Sequence, residues 1–166
     1  LDYFTMKLVE KLFTWKITIQ LSIVTLVALS VLNFYGLYTQ TFPVFRPENF
    51  AFPIIALVHL VFLYVLWFKI TEYEDTDPQM RTLEYILYAV VLVYLFYLAK
   101  TVYTLLSYTD FENHVIPVSF LPMALVILVL QVFLIFLTVL AIGYRRKLVG
   151  DYNFDDISRH IDSWEQ

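Results

Sequence analysis

The sequence predicts an all-α integral membrane protein with four transmembrane helices, arranged as two hairpins. Its 166 residues are 60% hydrophobic with a mean hydropathy of +0.71, whereas about half the residues of soluble domains are apolar. The charged residues, 16% of the chain, cluster between the apolar runs. Four of these runs can cross a hydrocarbon core roughly 30 Å thick, since a helix rises about 1.5 Å per residue. Residues 1–150 therefore form one membrane domain.

Composition and motifs exclude several classes of function. The net charge is −4 and the pI is about 5.2, so a basic surface for nucleic acid is not expected. The absence of cysteine excludes disulfides and thiolate metal sites. Zinc-protease, nucleophile-elbow, Walker and dinucleotide-binding motifs are also missing from the sequence. We predict a protein that is not an enzyme and that has no catalytic residue, metal site or nucleic-acid partner.

The first span is predicted over residues 17–38. Steps of 100° per residue place a stripe of small and hydroxylated residues on one side of this helix. Such residues let helices approach closely and form hydrogen bonds across the contact, so we expect this side to face protein. The stripe consists of Thr18, Ser22, Thr25, Leu29, Asn33 and Gly36.

The second span is predicted over residues 52–68, after a loop in which Pro43 and Pro47 prevent a continuous helix. His59 is the only ionisable residue in this span. The run that follows contains four carboxylates, which could bind a divalent cation. It lacks the ligand spacing and the glycine of an EF-hand loop, and a solvated loop is therefore favoured.

The third span, residues 83–107, contains Lys100. A charge at this depth is costly unless it snorkels to the head groups or faces a polar interior, and both alternatives remain open. Tyr94 and Tyr97 lie deep in the span and need hydrogen-bond partners.

The fourth span, residues 116–143, ends before a basic run. Ala124, Gln131 and Thr138 recur in it every seven residues, which predicts a shared helix contact.

The distribution of basic residues predicts the topology. In a four-span arrangement only Arg46 lies on one side, so the positive-inside rule places both termini and the middle loop in the cytoplasm. A multi-pass location follows, and a bacterial inner membrane is favoured over an organellar one. The basic residues on the opposite side to Arg46 are Lys7, Lys11, Lys16, Lys69, Arg81, Arg145, Arg146, Lys147 and Arg159.

Residues 151–166 form a separate acidic tail. Phe154, Ile157, Ile161 and Trp164 recur at helical spacing, and Asn153 suits an N-cap. Helices that bind membrane surfaces are usually rich in lysine and arginine, whereas the polar side of this one is acidic. We predict a short amphipathic helix on the cytoplasmic side that docks a protein partner through those four apolar residues.

Each span also contributes a polar residue at comparable depth, which defines a candidate polar intramembrane layer. Such a layer could bind an anion, a lipid head group or a quinone, or carry protons. The alternative for each residue is helix packing or, for Lys100, snorkelling. The layer comprises Asn33, His59, Tyr97, Lys100, Thr104 and Gln131.

Three functions remain open at this stage. The leading hypothesis is a non-enzymatic subunit that packs within a larger membrane complex, in contact with other subunits or its own copies and with membrane lipids. The alternative is a small oligomeric channel or transporter whose path is lined by His59 and Lys100. The third is a quinone-binding or redox anchor. A cofactor is not expected in the leading hypothesis, although lipid or quinone is compatible with the apolar spans.

Overall fold

The computed structural model describes residues 12–111 and 116–152. The proposed tail helix, with Phe154, Ile157, Ile161 and Trp164, lies outside the described residues. In the described part, four long helices account for most of the chain, and each helical region is long and apolar enough to cross a membrane. They are α1 (Trp15–Leu32), α2 (Ala51–Glu72), α3 (Pro78–Leu106) and α4 (Phe120–Leu148), with short 3-10 segments at Pro47–Phe50 and Ser107–Phe111.

Local sequence explains where several helices begin and end. The Thr14 hydroxyl accepts a hydrogen bond from the Ile17 amide at the start of α1, and the Asp77 carboxylate accepts one from the Met80 amide at the start of α3. Both are side-chain caps for amides that lack a helical partner. Tyr73 ends α2 in the left-handed conformation at φ 55°. The α2–α3 connection is thereby a tight turn.

All four helices differ from their expected bounds: α2 continues to Glu72 instead of residue 68 and α3 begins at Pro78 instead of residue 83. Helix α1 ends at Leu32 rather than near residue 38, because the Asn33 side-chain amide donates to the Asn49 carbonyl at 2.6 Å. The Gly36 amide then donates to the Thr41 carbonyl and closes a turn. Helix α4 continues through the basic run to Leu148. Arg145 does not begin a solvated segment. It is buried against Glu84 of α3, and this contact keeps the end of α4 helical.

The four helices form an up-down-up-down ring. Each packs against its neighbours in sequence, and α1 closes the ring against α4, whereas α2 and α4 touch only slightly across the diagonal. We call one end of the bundle the basic end, because Lys16, Lys69, Arg81 and Arg145 lie there. At the opposite end, the loop end, the Gln40 amide donates to the Ser119 hydroxyl at 2.7 Å. This contact joins the two hairpins at the loop end.

The bundle has an apolar exterior as well as a largely apolar core, and several polar side chains are buried at the helix contacts. Four of the six stripe residues predicted on α1 form a packing face, since Thr18, Ser22, Thr25 and Leu29 are buried. Asn33 and Gly36 lie beyond the end of the helix and are only partly buried, so the prediction was wrong for them. The seven-residue repeat on α4 is confirmed in the same way, because Ala124, Gln131 and Thr138 are buried. The exterior is apolar: Val24, Leu92, Phe96 and Val129 are between 64% and 68% exposed. An apolar outer surface, with polar side chains buried at helix contacts beside apolar ones, suits a multi-pass membrane protein.

Candidate functional site at the basic end

A buried ion pair joins α3 to α4 at the basic end. Glu84 and Arg145 are 2% and 3% exposed. The Arg145 Nη2 atom donates to Glu84 Oε1 at 2.9 Å, and Nε lies 2.6 Å from Oε2 in an ion-pair contact whose angle is too bent for a hydrogen bond. Removing two charges from water costs several kcal/mol per ion unless other hydrogen bonds compensate. The surroundings of the pair must therefore supply them.

Two tyrosines complete the coordination of Glu84. The Tyr88 hydroxyl donates to Oε1 at 2.6 Å, and the Tyr152 hydroxyl donates to Oε2 at 2.7 Å. Burial raises the pKa of the Tyr152 hydroxyl, and so does its hydrogen bond to Glu84, so this group stays protonated as a donor. We call these four residues, Glu84, Tyr88, Arg145 and Tyr152, the Glu84 cluster.

The Glu84 cluster also fixes the root of the C-terminal tail. Arg145 Nη1 donates to the Gly150 carbonyl at 2.9 Å, and the guanidinium lies over the Tyr152 ring at 4.3 Å. Gly150 has φ of +100°, a conformation that a residue with a side chain adopts only under strain. The chain thereby turns back after α4 and brings Tyr152 onto Glu84. A further contact, from the Thr76 hydroxyl to the Asp151 carbonyl at 3.0 Å, ties the same segment to the α2–α3 connection.

Lys69 is at the centre of a second set of charged residues. Its ammonium lies 3.0 Å from Glu74 and 2.8 Å from Asp77, while the lysine side chain is only 9% exposed. Burial alone raises the pKa of the Asp77 carboxyl, but hydrogen bonds from Lys69 and from the Met80 amide outweigh it and leave the pKa below its usual value. Two of the four carboxylates of the acidic run are therefore engaged by a lysine. Among residues 12–111 and 116–152, no cluster of three or more histidine or acidic side chains suits a metal ion.

The structure disperses the candidate polar layer. His59 is fully buried in α2, and its Nδ1 lies 3.2 Å from the Tyr94 hydroxyl of α3. Tyr94 thus has the hydrogen-bond partner that its depth requires. Lys100 is exposed on the surface of α3 and does not face this pair. The Thr104 hydroxyl is occupied locally, donating to the Lys100 carbonyl at 2.9 Å.

The other members of the layer also lie apart. Tyr97 is half-buried and its ring packs edge-on against Phe52 at 5.4 Å. Asn33 caps the end of α1 through its bond to Asn49. Gln131 is 8% exposed and its Oε1 has no hydrogen-bond partner among the described residues, as is also true of His59 Nε2. In the part of the chain that the structure describes, the layer therefore supplies one direct polar contact between helices, His59 with Tyr94, and an unpartnered amide oxygen on α4.

The polar pair and the Glu84 cluster are separate sites. Glu84 and Tyr94 are ten residues apart on α3, which corresponds to about 15 Å along the helix. Leu87 and Val90, both buried, lie on the intervening face. A continuous chain of titratable groups does not connect the two sites within the described residues. The Glu84 cluster is therefore suited to holding α3, α4 and the start of the C-terminal tail in fixed relative positions.

Sequence reasoning missed the Glu84 cluster. Glu84 shares a helical face with Leu87 and Tyr94, since these positions follow at intervals of three and seven residues. An acidic residue on the packing face of a predicted span is the available signal, because a buried carboxylate needs a cation. Arg145 is the complementary charge at the same end of the adjacent span.

Searches against protein-family models, curated proteins and solved structures find no match to this chain. Its function is therefore inferred from the geometry of the molecule. The features available are the apolar exterior, the polar packing faces and the Glu84 cluster at the root of the tail.

Proposed function

We propose that this protein is a non-enzymatic integral membrane subunit that packs within a larger membrane complex and docks a cytoplasmic partner through its tail. In this proposal both termini lie in the cytoplasm, at the basic end of the bundle. The supporting observation is the fixation of Gly150 and Tyr152 on the buried Glu84–Arg145 pair. A tail that starts from a fixed point can present its apolar residues at a defined position, which lowers the ordering cost of binding.

The membrane bundle provides the second part of the support. Its outward surface is apolar on every helix, as the exposure of Val27, Leu57, Leu92 and Val132 illustrates. That surface can contact lipid or the helices of another subunit equally well. Five ionisable residues of the basic end are instead engaged in ion pairs with one another: Lys69 with Glu74 and Asp77, and Glu84 with Arg145. The buried charges thus stabilise contacts between the helices of this chain. Such a structural role fits a subunit of a larger complex.

Removal of the tail tests the docking role directly. A chain that ends at Tyr152 keeps the Glu84 cluster and should lose the cytoplasmic partner, measured by quantitative mass spectrometry of proteins that co-purify in mild detergent. A matched variant keeps the tail acidic but replaces Phe154, Ile157, Ile161 and Trp164 by serine, and it should lose the same partner. If both variants keep every partner of the wild-type protein, the docking role is wrong.

The absence of cysteine allows a direct test of topology. Phe45, which is 100% exposed, lies at the loop end, and Asp75 lies exposed at the basic end. In intact cells a membrane-impermeant maleimide should label Phe45→Cys and should label Asp75→Cys only after permeabilisation. The opposite pattern would place the basic end and the tail root outside the cytoplasm and would contradict a cytoplasmic partner.

A channel or transporter is the competing proposal, and the exposure of Lys100 limits its form. Because this lysine faces away from the interior of the bundle, a path lined by it requires several copies of the chain side by side. In reconstituted vesicles, Lys100→Met would then alter ion selectivity. Unchanged flux would leave the subunit role favoured.

A further inference from the structure

A groove runs along the outer surface between α1 and α2 and has two cavities that meet at Leu60. The cavity in the basic half has a volume of about 460 Å³, and the one in the loop half about 570 Å³. Both lie within the size range of small-ligand pockets, roughly 300–1,000 Å³. Phe42 and Val44 of the connecting loop contribute to the lining of the loop-half cavity. The groove is therefore a defined concave surface within the apolar exterior.

The basic half of the groove changes from polar to apolar along its length. Lys16, Gln20 and Trp67 line it near the basic end, whereas Ile23 and Leu60 line it toward the middle of the bundle. From Lys16 to Ile23 the helix rises about 10 Å, which fits within one leaflet of a hydrocarbon core roughly 30 Å thick. This order of charge, interfacial aromatic ring and branched aliphatic side chains matches the order of chemical groups in a phospholipid.

Lys16 is the charge at the polar end of the groove. Among the described residues it has no carboxylate within ion-pair distance, and its ammonium lies 5.3 Å from the centre of the Trp15 ring. Lys69, at the same end of α2, is occupied by Glu74 and Asp77. Lys16 is thus the cation at this groove that remains available for a phosphate.

The lining of the groove disfavours a partner helix. Close contacts between helices in membranes usually require small residues. The basic half is lined instead by bulky side chains, including Leu63 and Tyr64. We propose that this half of the groove binds an anionic phospholipid, with an acyl chain between α1 and α2 and the phosphate at Lys16.

Native mass spectrometry of the detergent-purified full chain tests the proposal, with phosphatidylglycerol and phosphatidylcholine of identical chains as probes. The wild-type protein should prefer phosphatidylglycerol. Lys16→Ala should reduce that preference about fivefold, as expected for one lysine near an anionic head group, and Lys16→Arg should retain it. Lys100→Ala, which removes an exposed lysine of α3, is the matched control and should have no effect.

A second pair of variants tests the acyl-chain part of the site. Ile23→Trp fills the groove and should reduce binding of both lipids, whereas Val139→Trp on the exposed face of α4 should not. Equal effects of the two tryptophans, or unchanged lipid preference in Lys16→Ala, would overturn the proposal. Competition by millimolar inorganic phosphate would reassign Lys16 to a free anion. Loss of a co-purifying protein instead of lipid in Ile23→Trp would assign the groove to a partner helix, and either result refutes a lipid site.

Discussion

The Arg145→Met substitution tests whether the buried ion pair holds α3 against α4. Methionine keeps an unbranched side chain but removes every contact of the guanidinium with Glu84 and with the Gly150 carbonyl. Removing one partner of a buried pair costs about 3–5 kcal/mol, because the remaining charge stays in a medium of low dielectric. At roughly 2–4 °C per kcal/mol for a chain of this size, the unfolding midpoint should fall by about 6–20 °C. Tyr88 and Tyr152 still donate to Glu84, so we expect the lower part of that range.

The measurement is thermal unfolding in detergent micelles at pH 7, followed by far-ultraviolet circular dichroism. Arg146→Met is the comparison variant: Arg146 is the exposed neighbour on the same helix and donates one hydrogen bond, to the Tyr88 hydroxyl at 3.1 Å, so its loss should lower the midpoint much less than the loss of Arg145. The double variant Glu84→Gln/Arg145→Met removes the orphaned charge and should recover part of the loss. A midpoint for Arg145→Met equal to that of Arg146→Met, or a double variant less stable than Arg145→Met, would refute the stabilising role of the pair.

Three further outcomes are expected. Tyr94→Phe removes the hydroxyl 3.2 Å from His59 Nδ1 and should lower the unfolding midpoint by about 2–4 °C, the equivalent of one hydrogen bond of about 1 kcal/mol. Because the folded pKa of Asp77 is lowered, its contribution to stability is complete above its ordinary pKa of about 4 and is lost as pH falls through the lower folded value. Asp77→Asn keeps a capping side chain but loses the charge facing Lys69, so its midpoint should fall less than that of the wild type between about pH 4 and pH 2. Lys100→Met should leave the midpoint unchanged, because Lys100 is exposed and lies outside both buried clusters; a marked drop would show that it is buried against another copy.

The four helices and their packing faces could be predicted because both depend on short-range patterns. The apolar runs have spanning length, and burial follows a period of 3.6 residues. Thr18, Ser22 and Thr25 on α1, and Ala124 and Thr138 on α4, are buried as this period requires. Such patterns are present within each segment, so they do not depend on how the segments are placed in three dimensions.

Bounds of helices and ion pairs depend on long-range contacts, which the sequence does not reveal directly. Helix α1 ends early because Asn33 bonds to Asn49, a residue in the following loop. The Glu84–Arg145 hydrogen bond joins residues 61 positions apart. A basic residue at the end of a span looks the same in sequence whether water or a buried carboxylate surrounds it. The sequence therefore predicts a span that ends before Arg145, whereas Arg145 is buried in the bundle.

The members of the candidate polar layer lie apart because residues at the same depth in the membrane can lie on different sides of their helices. Counting residues places His59 and Lys100 at comparable depths. Lys100 follows Tyr94 by six residues, however, which turns it by about 240° around the axis of α3. Tyr94 faces His59, so Lys100 has to face elsewhere. This angle could have been calculated from the sequence once Tyr94 was recognised as the partner of His59.

The attachment of Tyr152 to Glu84 has a mechanical consequence. A force applied to the tail beyond residue 152 would load the Tyr152–Glu84 hydrogen bond and the contacts of Arg145 before it reached the middle of the bundle. The load would then pass into α3 and α4, and through the Thr76–Asp151 contact into the α2–α3 connection. Tension from a bound partner would thus act on the separation of α3 and α4 at the membrane surface.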